Sequence, residues 1–242
     1  MAMLEIRDLN VYYGGIHALK GISLEVLEGQ IVSMIGSNGA GKSSMMNAIS
    51  GIVKYKSGEI LYKGTRVNRH FSREEIKQYR QQVQMIFQDP MASLNERAKV
   101  DYIISEGLYN FNLFENEADR KAKVSRVMQR VGLLPEFASR FPHEFSGGQR
   151  QRIGIARAIV LNPSLVVCDE PVSALDVSIQ SQVLNLLRQL QESMGMAYIF
   201  ISHNLSVIKH ISDRVMVMYL GHVVELADKK ELFANPSHPY TQ

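Results

Sequence analysis

An α/β fold with a mainly parallel sheet, led by an antiparallel β segment and interrupted by an inserted helical segment, is predicted by three features of this sequence. Short apolar runs such as IVSMIG, LVVC and YIFI alternate with helical stretches, and such alternation builds a parallel sheet covered on both faces. The first residues instead alternate apolar and polar positions around glycine turns. Between about Val100 and Gly132 the apolar spacing turns helical.

Taken in order, Leu4 and Ile6, then Ile22, Leu24 and Val26, mark the opening strands, with Tyr13-Gly14-Gly15 and Glu28-Gly29 as turns. The run from Ile31 to Gly36 is a compact strand entering a glycine-rich turn and a helix from about Lys42 to Ser50, a strand–loop–helix unit. Short strands follow near Glu59–Tyr62 and Val83–Phe87. The insertion carries Tyr102, Ile103, Glu106 and Leu108, then a charged stretch, Glu115–Lys123, leading into Val124, Val127, Met128 and Val131. A helix near Gln149–Val160, a strand at Leu165–Cys168, a helix near Ile179–Ser193 and a strand at Tyr198–Ile201 continue the alternation. The segment VMVMYLGHVVEL reads as a hairpin turning at Gly221.

A chain of 242 residues suits one large α/β domain with a small insertion. Its 45% hydrophobic and 21% charged residues are ordinary for a globular protein. The formal charge of +3 comes from dispersed Lys and Arg, so no electrostatic footprint for nucleic acid stands out. The single cysteine, Cys168, excludes an internal disulfide or a cysteine-built cluster within one chain and reads as a small buried apolar residue. No apolar segment reaches about 18 residues, and MAMLEIRDL lacks a signal core, so membrane association is expected to go through a partner.

The sharpest local signal is GSNGAGKS, made of Gly36, Ser37, Asn38, Gly39, Ala40, Gly41, Lys42 and Ser43. It fits the phosphate-loop pattern and lies after a strand and before a helix, the context that gives the pattern meaning. The glycines allow tight turns and close approach, so that successive N–H groups and the positive helix end surround a polyphosphate. Lys42 would then reach the β- and γ-phosphates, and the Ser43 hydroxyl would ligate Mg²⁺. Taken alone, the motif fits a kinase, a GTPase or a motor ATPase equally well.

LVVCDE places Asp169 and Glu170 at the carboxyl end of a buried strand, where open α/β sheets bind ligands. The first can hold Mg²⁺ through water, and the second can orient and deprotonate the attacking water.

FSGGQRQR, from Phe145 to Arg152, resembles the signature sequence of the ABC ATPase family. The other family elements stand around it in order: Tyr13, the phosphate loop, Gln88 in IFQDP, Ser173-Ala174-Leu175-Asp176, and His203 in ISHN. The resemblance covers essentially the whole chain and implies a P-loop NTPase core of the RecA-like type. It also implies one nucleotide-binding domain over 1–242, with the helical insertion at about 89–145. Further implied are adenine stacking by Tyr13, contact of Gln88 with Mg²⁺ or the water, and contact of His203 with the γ-phosphate. Ser146, Gly147, Gly148 and Gln149 would bind the γ-phosphate held by a second subunit in a head-to-tail dimer, with Asp176 at the interface. Phe145 replaces the usual Leu and Ser44 the usual Thr, and neither change removes an atom the chemistry needs.

Two regions resemble different importer subfamilies. LNVYYGGIHALKGISLEV through SGEILYKG is similar to branched-chain amino-acid importer ATPases, whereas from about Phe71 onward IFQDPMASLNER, DEPVSALDVSIQSQVLNLL and NPSHPYTQ are similar to oligopeptide importer ATPases. A mosaic joined between about Gly58 and Ser72 and an unusual member of one subfamily both fit. The implied function is an ATP-hydrolysing importer subunit on the cytoplasmic face of the membrane. Its partners would be a like or unlike second ATPase subunit, a separate permease and, indirectly, a solute-binding protein, with ATP and Mg²⁺ as ligands and no nucleic acid. A soluble ABC ATPase of DNA repair or translation is the alternative. It would ordinarily show a coiled-coil insertion, zinc-ligand cysteines or a second ATPase unit.

Overall fold

A computed structural model describes residues 2–67 and 72–242, the side chain of Met91 excepted. In chain order the first elements are strands β1 (Ala2–Tyr13), β2 (Ile16–Leu27) and β3 (Ile31–Gly36), helix α1 (Lys42–Ile49), strands β4 (Ser57–Tyr62) and β5 (Thr65–Arg66), helix α2 (Arg73–Gln82) and strand β6 (Val83–Ile86). Helices α3 (Pro90–Ser93), α4 (Val100–Phe111), α5 (Glu117–Arg130) and α6 (Gly147–Ile159) come next, then β7 (Leu165–Asp169) and α7 (Val177–Met194). The last are β8 (Ala197–Ile201), α8 (Leu205–Ile211), β9 (Arg214–Tyr219), β10 (His222–Asp228) and α9 (Lys229–Ala234).

The chain forms two compact units, one of residues 1–76 with 195–242 and one of residues 77–194. In the first, β2, β1, β4 and β5 lie side by side and antiparallel. Tyr13 pairs with Ile16 across Gly14-Gly15, and Gly14 at φ +58 supplies the left-handed backbone such a tight turn requires. A second set of strands runs β10, β9, β3, β8, with β3 parallel to both neighbours and β9–β10 the antiparallel hairpin expected around Gly221. The centre of this set is apolar because it is covered on both faces: Ile31, Val32, Met34, Tyr198, Ile199 and Phe200 are all buried. Ile208, Val215, Val217 and Leu232 close one side of it.

In the second unit β6 and β7 run parallel, with Ile86 beside Cys168. Leu165 to Cys168 are fully buried, and burial pushes the Cys168 thiol far above its ordinary pKa, as suits a small apolar core residue. The helical insertion buries Ile103, Ile104 and Leu108 of α4 with Val124, Val127 and Met128 of α5. Each such side chain contributes roughly 1.5–3 kcal/mol by leaving water. Asn116 caps α5, accepting from the Asp119 amide at 3.0 Å. Arg120 lies nearly buried, paired with Asp101 and Glu117 at 2.9 Å each. Among the described residues no helix is long and apolar enough to cross a membrane.

Candidate functional site

In the first unit, strand register delivers the phosphate loop and His203 to the same edge. Met34 of β3 sits beside Ile201 of β8 in parallel register, so Gly36 and His203, each two residues further on, leave the strands side by side. The loop turns back through Ala40, whose amide donates to the Ser37 carbonyl at 3.1 Å. Glycine at 36 is fixed by contact, because a Cβ there would meet the Met218 carbonyl oxygen at 2.3 Å. Gly41, at φ +103, opens α1 without any side-chain cap and with no acidic residue in the first turn. The first amides of α1 and its positive end therefore face whatever the loop encloses.

Lys42 folds over the loop, donating from Nζ to the carbonyls of Gly36 at 2.7 Å and Ser37 at 3.0 Å. Ser37, Asn38, Gly39 and Ser43 are exposed, Ala40 is buried beneath them, and Ser44 is half-buried in the first turn of α1. Residues 36–44 contain no acid, so the cradle combines amide donors with one cation and fits a polyphosphate. Tyr13, at the end of β1, is 43% exposed and offers an open ring face. One contact of the loop has no signal in the sequence: the Tyr240 phenol oxygen accepts from the Ser37 amide at 2.8 Å.

In the second unit the same register logic operates. Ile86 lies beside Cys168, so Gln88 and Glu170 emerge together, and Gln88 Nε2 donates to Glu170 Oε2 at 3.3 Å. Asp169 is the last residue of β7. Glu170 takes the left-handed backbone at φ +44, held there by Ser173, whose amide and hydroxyl donate to its carbonyl at 3.1 and 3.0 Å. A non-glycine residue in that conformation is strained by about 1–2 kcal/mol.

The signature segment forms a helix start. The helix α6 begins at Gly147, two residues before the expected Gln149, because Ser146 and Gln149 close a reciprocal capping box. The Ser146 hydroxyl accepts from the Gln149 amide at 3.4 Å, and Gln149 Oε1 accepts from the Ser146 amide at 3.0 Å. A Cβ on Gly148 would meet Ile179 Cγ2 at 2.5 Å, and Leu175 lies 3.6 Å from the corresponding position on Gly147. The glycines thus let α6 press against the start of α7, next to the exposed Asp176. The candidate residues therefore fall into a set in the first unit (Tyr13, Gly36 to Ser44, His203) and a set in the second (Gln88, Ser146 to Gln149, Asp169, Glu170, Asp176).

Comparison with known proteins agrees with this geometry. The family model described as "ABC transporter" matches residues 19–173, which include the phosphate loop, the signature segment and the Asp169-Glu170 pair. The oligopeptide transport ATP-binding protein OppF of Streptococcus pyogenes serotype M1 is 52% identical over 99% of this chain and 80% of its own length. The OppF protein of Escherichia coli K12 is 47% identical over 99% of this chain and 75% of its own. Among solved structures, cbiO1 of Clostridium perfringens, part of the ABC transporter complex cbiONQ, superposes with a TM-score of 0.88 at 31% identity, covering 97% of this chain and 91% of that one. A dimeric post-hydrolysis state of the ATP-binding cassette MJ0796 with ADP and Pi gives a TM-score of 0.81 at 26% identity, covering 94% of this chain and 99% of that one.

A mosaic of two subfamilies finds no support, because one oligopeptide relative aligns over 99% of the chain at 52% identity. Phe71, from which the peptide-importer likeness runs, lies outside the described residues. The loop geometry, the order of the motifs and the family match converge on one assignment: this chain belongs to the ABC transporter family, as an ATP-binding and ATP-hydrolysing subunit with the P-loop NTPase fold.

Proposed function

We propose that this chain drives oligopeptide import, hydrolysing ATP at the cytoplasmic face of a membrane for separate permease subunits. The observation that carries this reading is 52% identity with an oligopeptide transport ATP-binding protein over 99% of the chain. Permease subunits, and indirectly a solute-binding protein, are its partners, and nucleic acid is not. The working unit is a head-to-tail dimer with a like or unlike subunit, a reading supported by the dimeric ADP- and Pi-bound relative. Residues 1–242 act as one nucleotide-binding domain with its helical insertion at about 89–145. The family match over residues 19–173 includes residues of both compact units, which supports reading the chain as one domain.

Tyr13 stacks on adenine, while the loop of residues 36–44 holds the phosphates through the Lys42 ammonium and those of its amides that Tyr240 and the Ser37 carbonyl do not already engage. Ser43, Gln88 and Asp169 are the residues that would hold Mg²⁺, and the ion would supply neutralisation of phosphate charge. Glu170 accepts the proton of the attacking water, and its hydrogen-bonded neighbour Gln88 orients both. His203 contacts the γ-phosphate. Ser146, Gly147, Gly148 and Gln149 serve the nucleotide of the other subunit, and Asp176 lies at that interface.

Permease recognition belongs to the segment from Phe87 to about Phe114. Phe87, Tyr102 and Tyr109 are exposed, and the Tyr109 ring lies 6.2 Å from that of Tyr102 and 5.0 Å from that of Phe114. Such rings are suited to anchoring a partner helix. Reconstitution with a peptide-type and a branched-chain-type permease, scored by permease-stimulated ATPase activity, tests the proposal. Stimulation by the peptide type is expected, and stimulation only by the branched-chain type would overturn it.

A further inference from the structure

The segment NPSHPYTQ forms a fastened turn against the phosphate loop. Glu225 of β10 accepts from the amides of Ser237 at 2.9 Å and His238 at 3.2 Å. His238 then organises the rest of the turn: its Nδ1 accepts from the Tyr240 amide at 3.1 Å and its carbonyl from the Thr241 amide at 2.8 Å. The Tyr240 ring packs on Tyr219, with centroids 4.6 Å apart.

Register brings that pair to the loop. Gly36 of β3 sits beside Met218 of β9, so Ser37 and Tyr219 are the next residues of the two strands, and the Tyr240 phenol on Tyr219 reaches the Ser37 amide at 2.8 Å. Ser37 in turn sets two features of the loop. Its carbonyl accepts from the Ala40 amide at 3.1 Å, which closes the turn, and from Lys42 Nζ at 3.0 Å. The chain of contacts therefore runs from Glu225 through the terminal turn and the Tyr240 hydroxyl to Ser37, the loop and Lys42.

We infer that the Ser237–Thr241 turn is a clasp on the phosphate loop and that Tyr240 is a positioning residue for nucleotide binding, acting through Ser37. The inference rests on the reading of residues 36–43 as the phosphate cradle. With the hydroxyl in place, the loop is held with its turn closed, so less order has to be imposed when ATP enters. Without it, the Ser37 amide loses its partner and the loop samples other conformations.

Tyr240→Phe is the deciding variant, because it keeps the ring on Tyr219 and removes only the hydroxyl. A single neutral hydrogen bond corresponds to a change of about two- to ten-fold in affinity. MgATP affinity should fall by about that factor in Tyr240→Phe and equally in Tyr240→Ala, with kcat within about two-fold of the parent. Glu225→Ala should give the same loss, and combining it with Tyr240→Phe should add little, since both act on one clasp. Amide hydrogen exchange at Ser37 in the nucleotide-free protein should quicken in Tyr240→Phe while the melting temperature stays near the parent's. Wild-type affinity and exchange in Tyr240→Phe would overturn the inference, with a defect in Tyr240→Ala alone assigning only packing to the residue. Tighter ATP binding in Tyr240→Phe would overturn it as well. Parent protein and Lys42→Ala run alongside separate the two claims: a parent that binds no ATP refutes the nucleotide-site reading, and Ser37 exchange still decides the clasp.

Discussion

Alanine at Gly36 and at Gly39 separates contact from conformation within one loop. A Cβ at residue 36 would sit 2.3 Å from the Met218 carbonyl oxygen and 2.9 Å from Ala40 Cβ. That is about 1 Å inside ordinary contact, and the opposing atom is backbone of β9, held by its pairing with β3. The loop rather than the strand must yield, at about 1–3 kcal/mol of packing strain. A displacement of about 1 Å at a site of phosphoryl transfer lowers turnover by about 100-fold. At Gly39 a Cβ meets nothing within 4 Å, and only the backbone at φ +81 objects, at about 1–2 kcal/mol. Urea unfolding and ATP titration of both variants provide the assay. Gly36→Ala should lose stability and at least about ten-fold in ATP affinity, whereas Gly39→Ala should show the conformational loss of stability. Wild-type ATP affinity in Gly36→Ala would refute the contact argument.

Lys42→Ala should weaken ATP binding strongly and Tyr13→Ala moderately, because the first removes phosphate charge and the second an adenine platform; nucleotide titration measures both. Glu170→Gln should bind ATP, accumulate as a dimer by light scattering, and turn over at a small fraction of the parent rate. Arg120→Leu should destabilise the chain by about 1–3 kcal/mol in urea, less than a fully buried pair would lose, because Asp101 and Glu117 stay partly exposed. The Thr241 hydroxyl, with the amides of Ser237 and His238 and the nearby His238 ring, holds the Glu225 carboxyl below the ordinary glutamate range. Its contribution is therefore complete above the unfolded value of about 4.3 and is lost as pH falls through the depressed folded value. Protection of the Ser37 amide, its exchange rate taken relative to the intrinsic rate at each pH, should fall through that window as Glu225 protonates.

Elements with a strong local signature are legible in the sequence. The hairpin around Gly221, the strand running into the phosphate loop and the two helices of the insertion follow from glycine placement and apolar spacing. Helix α2 is not legible, because REEIKQYRQQ buries only Tyr79 and so lacks an apolar stripe. Helix α8 is equally hidden although Asn204 caps it, accepting from Ser206 and Val207; at seven residues it is too short to show periodicity. Motifs name the site residues but not their contacts. Gln88 meets Glu170 across 82 residues and Tyr240 meets Ser37 across 203. Both contacts depend on which strands lie in parallel register, a tertiary choice that neither local stretch encodes.

The left-handed backbone of Glu170 bears on how this chain can be improved. Glycine or asparagine adopts that conformation with less strain, so Glu170→Gly and Glu170→Asn relieve about 1 kcal/mol of backbone energy while deleting the carboxylate. A selection for heat resistance alone would therefore enrich inert variants at this position. Directed evolution of the chain has to score turnover alongside folding, because here the two pull against each other through a single dihedral angle.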